Sequence, residues 1–172
     1  MEINERPNKQ TYFLAMAKLV STRGTCVRRK CGCILVDHIG RVLATGYNGS
    51  GRGQTHCTDV PCEGSKYESG KGLEKCEAIH AEQNAILQCT NTEEIEKAYI
   101  TLSPCVTCVK LLLNTSCKEI VFLEEYVNID AERIWKNANR LWTPATTALE
   151  TRVEVDSTTG FPKLVWSKTT RD

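Results

Sequence analysis

His80-Ala81-Glu82 and Pro104-Cys105-Val106-Thr107-Cys108 are the residues whose types and spacing could do chemistry together. They form an H-x-E…P-C-x-x-C pair, with His80 and Cys105 25 positions apart. Zinc takes imidazole and thiolate ligands in a tetrahedron, and three protein ligands leave the fourth position for water. Cys105 and Cys108 stand i and i+3 at an expected helix start, so they share a face. Ser103 is expected as the N-cap and Pro104 as the first helical residue. His80 is expected in the first turn of its own helix. Two helix N-termini then aim partial positive charge at one point and favour the thiolates of Cys105 and Cys108. Zn²⁺ with two thiolates and a neutral imidazole sums to zero charge, and a water there can lose its proton to a nearby carboxylate. Glu82 is that carboxylate by position, a general acid and base beside the metal. A structural zinc or a redox pair would use the CxxC without His80 and Glu82 upstream.

The elements that must position these residues are legible around them. Residues 8–21 carry Phe13, Met16, Ala17 and Val20 at helical spacing. Residues 31–36 and 41–47 are strand-like runs joined through Asp37-His38-Ile39-Gly40, an expected hairpin. His38 is read as a solvated turn residue. Residues 48–75 hold six glycines and no sustained period; an irregular stretch of that length is usually functional or tied down. Helices are expected at 79–89, 105–114 and 130–141, the last with Ile134, Trp135, Ala138 and Leu141 on one side. Strands are expected at 98–102, 119–123, 152–156 and 163–166. Alternation in the middle of the chain argues for an α/β class, with an antiparallel hairpin first and parallel pairing after residue 97.

Composition sets the outer bounds. The chain has 172 residues, enough for one domain, read as 1–172, with a sizeable core. A net charge of +1 and an aromatic content of 6% argue against a polynucleotide groove, which needs basic and stacking residues. No stretch approaches a membrane span. The opening MEINERPNKQ is polar and reads as no secretory signal, which leaves a cytoplasmic protein as the expectation. Ten cysteines in such a chain point to metal or catalysis rather than to a disulfide scaffold.

The H-x-E…P-C-x-x-C signature is that of zinc deaminases acting on bases. At these residues the chain resembles the cytidine deaminase superfamily, and within it the phage and bacterial dCMP deaminases. The resemblance runs through Ser21-Thr22-Arg23, Cys26-Val27-Arg28-Arg29, Thr45-Gly46-Tyr47-Asn48-Gly49, Ile79-His80-Ala81-Glu82-Gln83-Asn84-Ala85 and Thr101-Leu102-Ser103-Pro104-Cys105. It implies a three-layer α/β/α fold around a five-stranded mixed sheet. It implies hydrolytic deamination of dCMP to dUMP for dTTP synthesis, in a homo-oligomer such as a hexamer, in the cytoplasm (the host's, for a phage protein). It also implies activation by dCTP and inhibition by dTTP, each with Mg²⁺. Asn48 would bind the sugar and the Ser103 carbonyl the exocyclic amine. Gly49, Gly51 and Gly53 would belong to the effector region, where backbone N–H groups can approach phosphate. Arg23, Arg28 and Arg29 are candidate phosphate partners, Arg23 for substrate and Arg28 for effector.

The family pattern of Val-Gly-Ala after CxRR is here Cys31-Gly32-Cys33, read as small core residues. Cys89 and Cys117 are read as packing too. Cys26, Cys57, Cys62 and Cys76 remain, with His56 beside Cys57. Related enzymes carry a structural zinc in this region. A closed site would order the long segment; His56 could stand in for Cys62 or Cys76, and free thiols are the alternative. Competing functions are a tRNA adenosine or polynucleotide cytidine deaminase, free cytidine deamination, and a silent zinc module. An intact Glu82 argues against the last.

Overall fold

The computed structural model describes residues 6–68, 71–126, 128–145, 148–160 and 162–169. Helix α1 (Lys9–Ser21) begins where the Asn8 side chain accepts from the Thr11 N–H. It buries Phe13, Leu14 and Ala17 against Ile34, Val36, Tyr99 and Val121. These strand residues belong to β1 (Gly32–Val36), β3 (Lys97–Leu102) and β4 (Glu119–Glu124). With β2 (Val42–Tyr47) and β5 (Leu141–Pro144) they form one sheet in the order β2-β1-β3-β4-β5. The opposite face carries α2 (Ala81–Gln88), α3 (Val106–Leu113) and α4 (Ile129–Asn137). There Cys33, Leu35, Ala98, Ile100, Ile120 and Phe122 pack with Ala85, Val109, Leu112 and a fully buried Trp135. The result is the expected three-layer α/β/α arrangement on a five-stranded mixed sheet.

Pairing follows the expected division. β1 runs antiparallel to β2 and to β3, whereas β3–β4 and β4–β5 are parallel. The β1–β2 turn is closed by Asp37, whose carboxylate accepts from the N–H groups of Ile39, Gly40 and Arg41 at 2.8–3.0 Å. Gly40 takes a positive φ of 96° there. Burial works to raise the Asp37 pKa, but the three backbone donors outweigh it and hold the carboxyl below its usual value.

Two layer contacts leave no room for a side chain. A Cβ on Gly32 would lie 2.1 Å from the Ala17 carbonyl oxygen of α1. A Cβ on Gly46 would lie 2.1 Å from the Ala81 oxygen and 2.4 Å from the Ala85 nitrogen of α2. Sheet and helix backbones therefore touch at both places, and the second holds the start of α2 in register with β2. Asn84 strengthens that contact by donating to the Tyr47 carbonyl at 2.8 Å.

Two expectations need correction. Helix α4 ends at Asn137, and Leu141 is not on its apolar stripe. Asn139 turns the chain with φ 57°, and Leu141, 62% exposed, opens the edge strand β5. A four-residue strand after a left-handed turn mimics one more helical turn in spacing. Cys31 precedes β1 and is only partly buried, whereas Cys33 is in the core as expected. Trp142 packs on Phe122 with ring centroids 5.2 Å apart and helps close the sheet. The side chain of Trp166 lies outside the described residues. The two late strands are β6 (Ala148–Val155) and β7 (Pro162–Thr169), an antiparallel pair separate from the main sheet.

Candidate active site

The parallel pair β3–β4 and the starts of α2 and α3 converge on one cavity of about 210 Å³. His80 is the N-cap of α2, with extended backbone, and its N–H donates to the Gln83 Oε1 at 2.8 Å. Cys105, not Ser103, is the N-cap of α3. Pro104 therefore lies just outside the helix instead of at its first position. The shift places both candidate ligands on non-helical N-cap residues of facing helices. Their side chains are free of helical packing while the helix termini point at them.

The expected ligands meet. His80 Nδ1 is 3.5 Å from Cys105 Sγ and 3.4 Å from Cys108 Sγ. The three ligand atoms lie within 4.8 Å of one another, and no other such set of three occurs among the described residues. One nitrogen and two sulfurs in a half-buried triangle suit Zn²⁺, with a fourth position on the cavity side. A hydrogen bond from Cys108, followed by one from His80, holds the Cys105 thiol down at about 4. Giving that hydrogen bond, and burial, keep the Cys108 proton on. Cys105 is thus the readier of the two thiols to ionise.

Glu82 is the second residue of α2 and 5% exposed. Burial raises its carboxyl pKa, while its own backbone N–H and nearby His80 pull it back. Such a group holds a proton more readily than an ordinary glutamate, which suits a proton carrier.

The remaining predicted residues divide. Asn48 is buried and lines the cavity. Its Nδ2 donates to the Arg29 carbonyl and its Oδ1 accepts from the Cys31 N–H, both at 2.8 Å. Ser103 lines it too, and its Oγ donates to the Tyr126 carbonyl at 3.1 Å and accepts from the Tyr126 N–H at 2.7 Å. Arg28 lines the cavity, but Arg23 is exposed just past α1 and is not in its wall. The Gly49 N–H donates to the Ile79 carbonyl at 3.1 Å in a two-way bridge, and the Gly51 N–H donates to Gln54 Oε1 at 3.2 Å. Those two amides serve the loop itself. Gly53 has a positive φ of 84° with open space around it. Of the second cysteine group, Cys57 and Cys62 approach to 3.8 Å between sulfurs, while Cys26 and Cys76 line the cavity. His56 is at the surface. These four thiols do not gather as three ligand atoms within 4.8 Å.

Sequence reasoning missed Glu125 and Tyr126 in the wall. They directly follow β4, as Ser103 follows β3, and parallel pairing puts both carboxyl ends side by side. That topology was the available signal.

A family model described as "Cytidine and deoxycytidylate deaminase zinc-binding region" matches residues 7–124. The deoxycytidylate deaminase of Mycobacterium phage D29 is 34% identical over 126 residues, covering 70% of this chain and 98% of that protein. The deoxycytidylate deaminase of Schizosaccharomyces pombe is 38% identical over 130 residues, 73% of this chain. This chain spans only 40% of that protein's length. Among solved structures, dCMP deaminase from the cyanophage S-TIM5 in complex with dCMP and dUMP superposes with a TM-score of 0.66. It is 26% identical, with 83% of this chain and 100% of that one covered.

Proposed function

The chain belongs to the cytidine and deoxycytidylate deaminase zinc-binding family, and from that premise we propose that it hydrolyses dCMP to dUMP and ammonia, supplying dUMP for dTTP synthesis. The observation that carries the reading is one cavity lined by His80, Cys105 and a buried Glu82, with the Cys108 sulfur 3.4 Å from His80 Nδ1 completing the three donors. A phage relative named for this activity, 98% of which is matched by this chain, and a solved neighbour holding dCMP and dUMP, support the substrate.

His80, Cys105 and Cys108 would hold Zn²⁺, which supplies Lewis acidity and lowers the pKa of water. The chain's own residues do the rest. Glu82 takes a proton from the attacking water and delivers it to the ring nitrogen N3 of cytosine. It then takes the proton of the hydroxyl newly bonded to C4 and gives it to the amine, so that the C4–N bond breaks, ammonia leaves and the C4 carbonyl forms. The Ser103 carbonyl orients that amine, and its fixed place comes from the Ser103–Tyr126 hydrogen bonds. Asn48, held at both ends of its amide, presents a rigid edge to the sugar.

The reading extends to regulation by dCTP and dTTP with Mg²⁺ around Arg28, Gly49, Gly51 and Gly53. It also extends to a structural zinc on Cys26, Cys57, Cys62 and Cys76, and to a cytoplasmic homohexamer of single-domain subunits. Its support is the resemblance. The test of the reaction is product identity. Zinc-loaded protein should convert dCMP to dUMP with one ammonia per dUMP. Zinc-loaded protein that leaves dCMP unchanged contradicts the proposal.

A further inference from the structure

His80 supplies the nitrogen of the donor set, and it stands at the junction between the irregular segment and α2. Backbone bonds hold the chain on either side of it. Ile79 exchanges two hydrogen bonds with Gly49, its N–H donating at 2.8 Å and its carbonyl accepting at 3.1 Å. The His80 carbonyl accepts from the Asn84 N–H at 3.0 Å, a bond of the first helical turn. The His80 N–H takes a side chain instead: it donates to Gln83 Oε1 at 2.8 Å.

An ordinary N-cap is Ser, Thr, Asp or Asn, whose side-chain oxygen accepts from the first turn. His80 and Gln83 form a capping box, in which each side chain accepts from the backbone of the other. His80 Nδ1, however, faces Cys108 Sγ at 3.4 Å and Cys105 Sγ at 3.5 Å. A ring nitrogen bonded to a metal has no lone pair left for a helix N–H. With metal bound, the Gln83 half of the box therefore holds the turn alone. Glu82 lies in the same turn, between the two, so the bond that fixes the metal nitrogen also fixes the carboxylate. A metal site tolerates about 0.2 Å in its ligand distances, whereas helix ends fray.

We propose that Gln83 is a positioning residue for the metal site, fixing the His80 backbone through its Oε1 and setting Glu82 with it. The inference rests on the zinc deaminase reading of the same cavity. Gln83 is not in the cavity wall and acts only through the residues it holds. Three substitutions separate the acceptor from its bulk. Leucine keeps the size and loses the acceptor, glutamate keeps the acceptor at the same reach, and asparagine keeps the amide one methylene short.

The rate at which zinc-loaded protein yields its metal to a chelator tests this, read in the release phase that Cys105→Ala lacks. Gln83→Leu should quicken that phase by about tenfold or more, the range for groups that hold metal ligands in place. It should also lower kcat for dCMP more than it raises KM, because Glu82 moves with the turn. Gln83→Glu should restore slow release. Asn8→Ala removes the cap of α1, and it should lower the urea midpoint without quickening release. Wild-type release from Gln83→Leu overturns the proposal. So does release from Gln83→Glu as fast as from Gln83→Leu, or equal quickening by Asn8→Ala. If Gln83→Leu does not fold, Gln83→Asn takes its place, and wild-type release from it overturns the proposal. Zinc release is read without substrate and so stands apart from deamination. Absence of dCMP turnover in wild type would instead sink the proposed function.

Discussion

In the proposed reaction Glu82 would move the proton and His80, Cys105 and Cys108 would hold the cation, and single substitutions should separate the two roles. Glu82→Gln should keep zinc and fold but lower dCMP turnover by about a hundredfold or more, the low end for a general acid–base group. Turnover above a tenth of wild type, with zinc bound, would contradict the proton role. Cys105→Ala should remove zinc together with activity, as measured by metal analysis of purified protein; an unchanged zinc content would contradict the ligand assignment. The gathering of these residues was legible because the H-x-E and C-x-x-C spacings are local and chemistry restricts which side chains can fill them. Arg28 and Arg29 were not separable in the sequence, although they are neighbours. Their difference lies in the Gly64 and Glu68 carbonyls that Arg28 holds and the Glu124 carboxylate that Arg29 pairs with, 36, 40 and 95 residues away.

At the scale of elements, the contact between β2 and α2 matters most to the site. Gly46→Ala would push a methyl into helix backbone at 2.1 Å, and backbone cannot turn aside as a side chain can. The expected cost is about 1–3 kcal/mol or more, read as a lower urea midpoint, with weaker zinc retention because His80 and Glu82 move with α2. Wild-type stability would show that the layers are looser than this contact implies. The β1–β2 turn gives a pH signature. The Asp37 pKa is depressed in the fold, so its stabilisation is present above the unfolded pKa and is lost as pH falls through the folded one. Asp37→Asn should therefore lose less stability than wild type between about pH 5 and about pH 3. Equal losses would contradict the turn's electrostatic role. The hairpin, the parallel pair and the helices around the motifs were all readable from period and turn residues. β5 was not, because Leu141 continues a helical spacing that only the left-handed Asn139 interrupts. The N-cap of α3 also slipped by two residues, since Ser103-Pro104 is a good helix start by composition. Tertiary bonds from Ser103 to Tyr126 claim its hydroxyl instead.

For the whole molecule, near-neutral charge and a small cavity at the ends of two parallel strands fit a mononucleotide better than a polymer. None of the described helices is long and apolar enough to cross a membrane. The family match ends at residue 124, yet β5 completes the sheet beyond it and β6–β7 add a separate hairpin. The most direct measurement is ammonia release, at fixed zinc-loaded protein, from dCMP, dCTP, deoxycytidine and a short single-stranded DNA, each with and without dCTP-Mg²⁺ or dTTP-Mg²⁺. The expected result is release from dCMP above all, rising with dCTP and falling with dTTP. Release from the polynucleotide alone, or from none of the four, would contradict the assignment of a nucleotide deaminase.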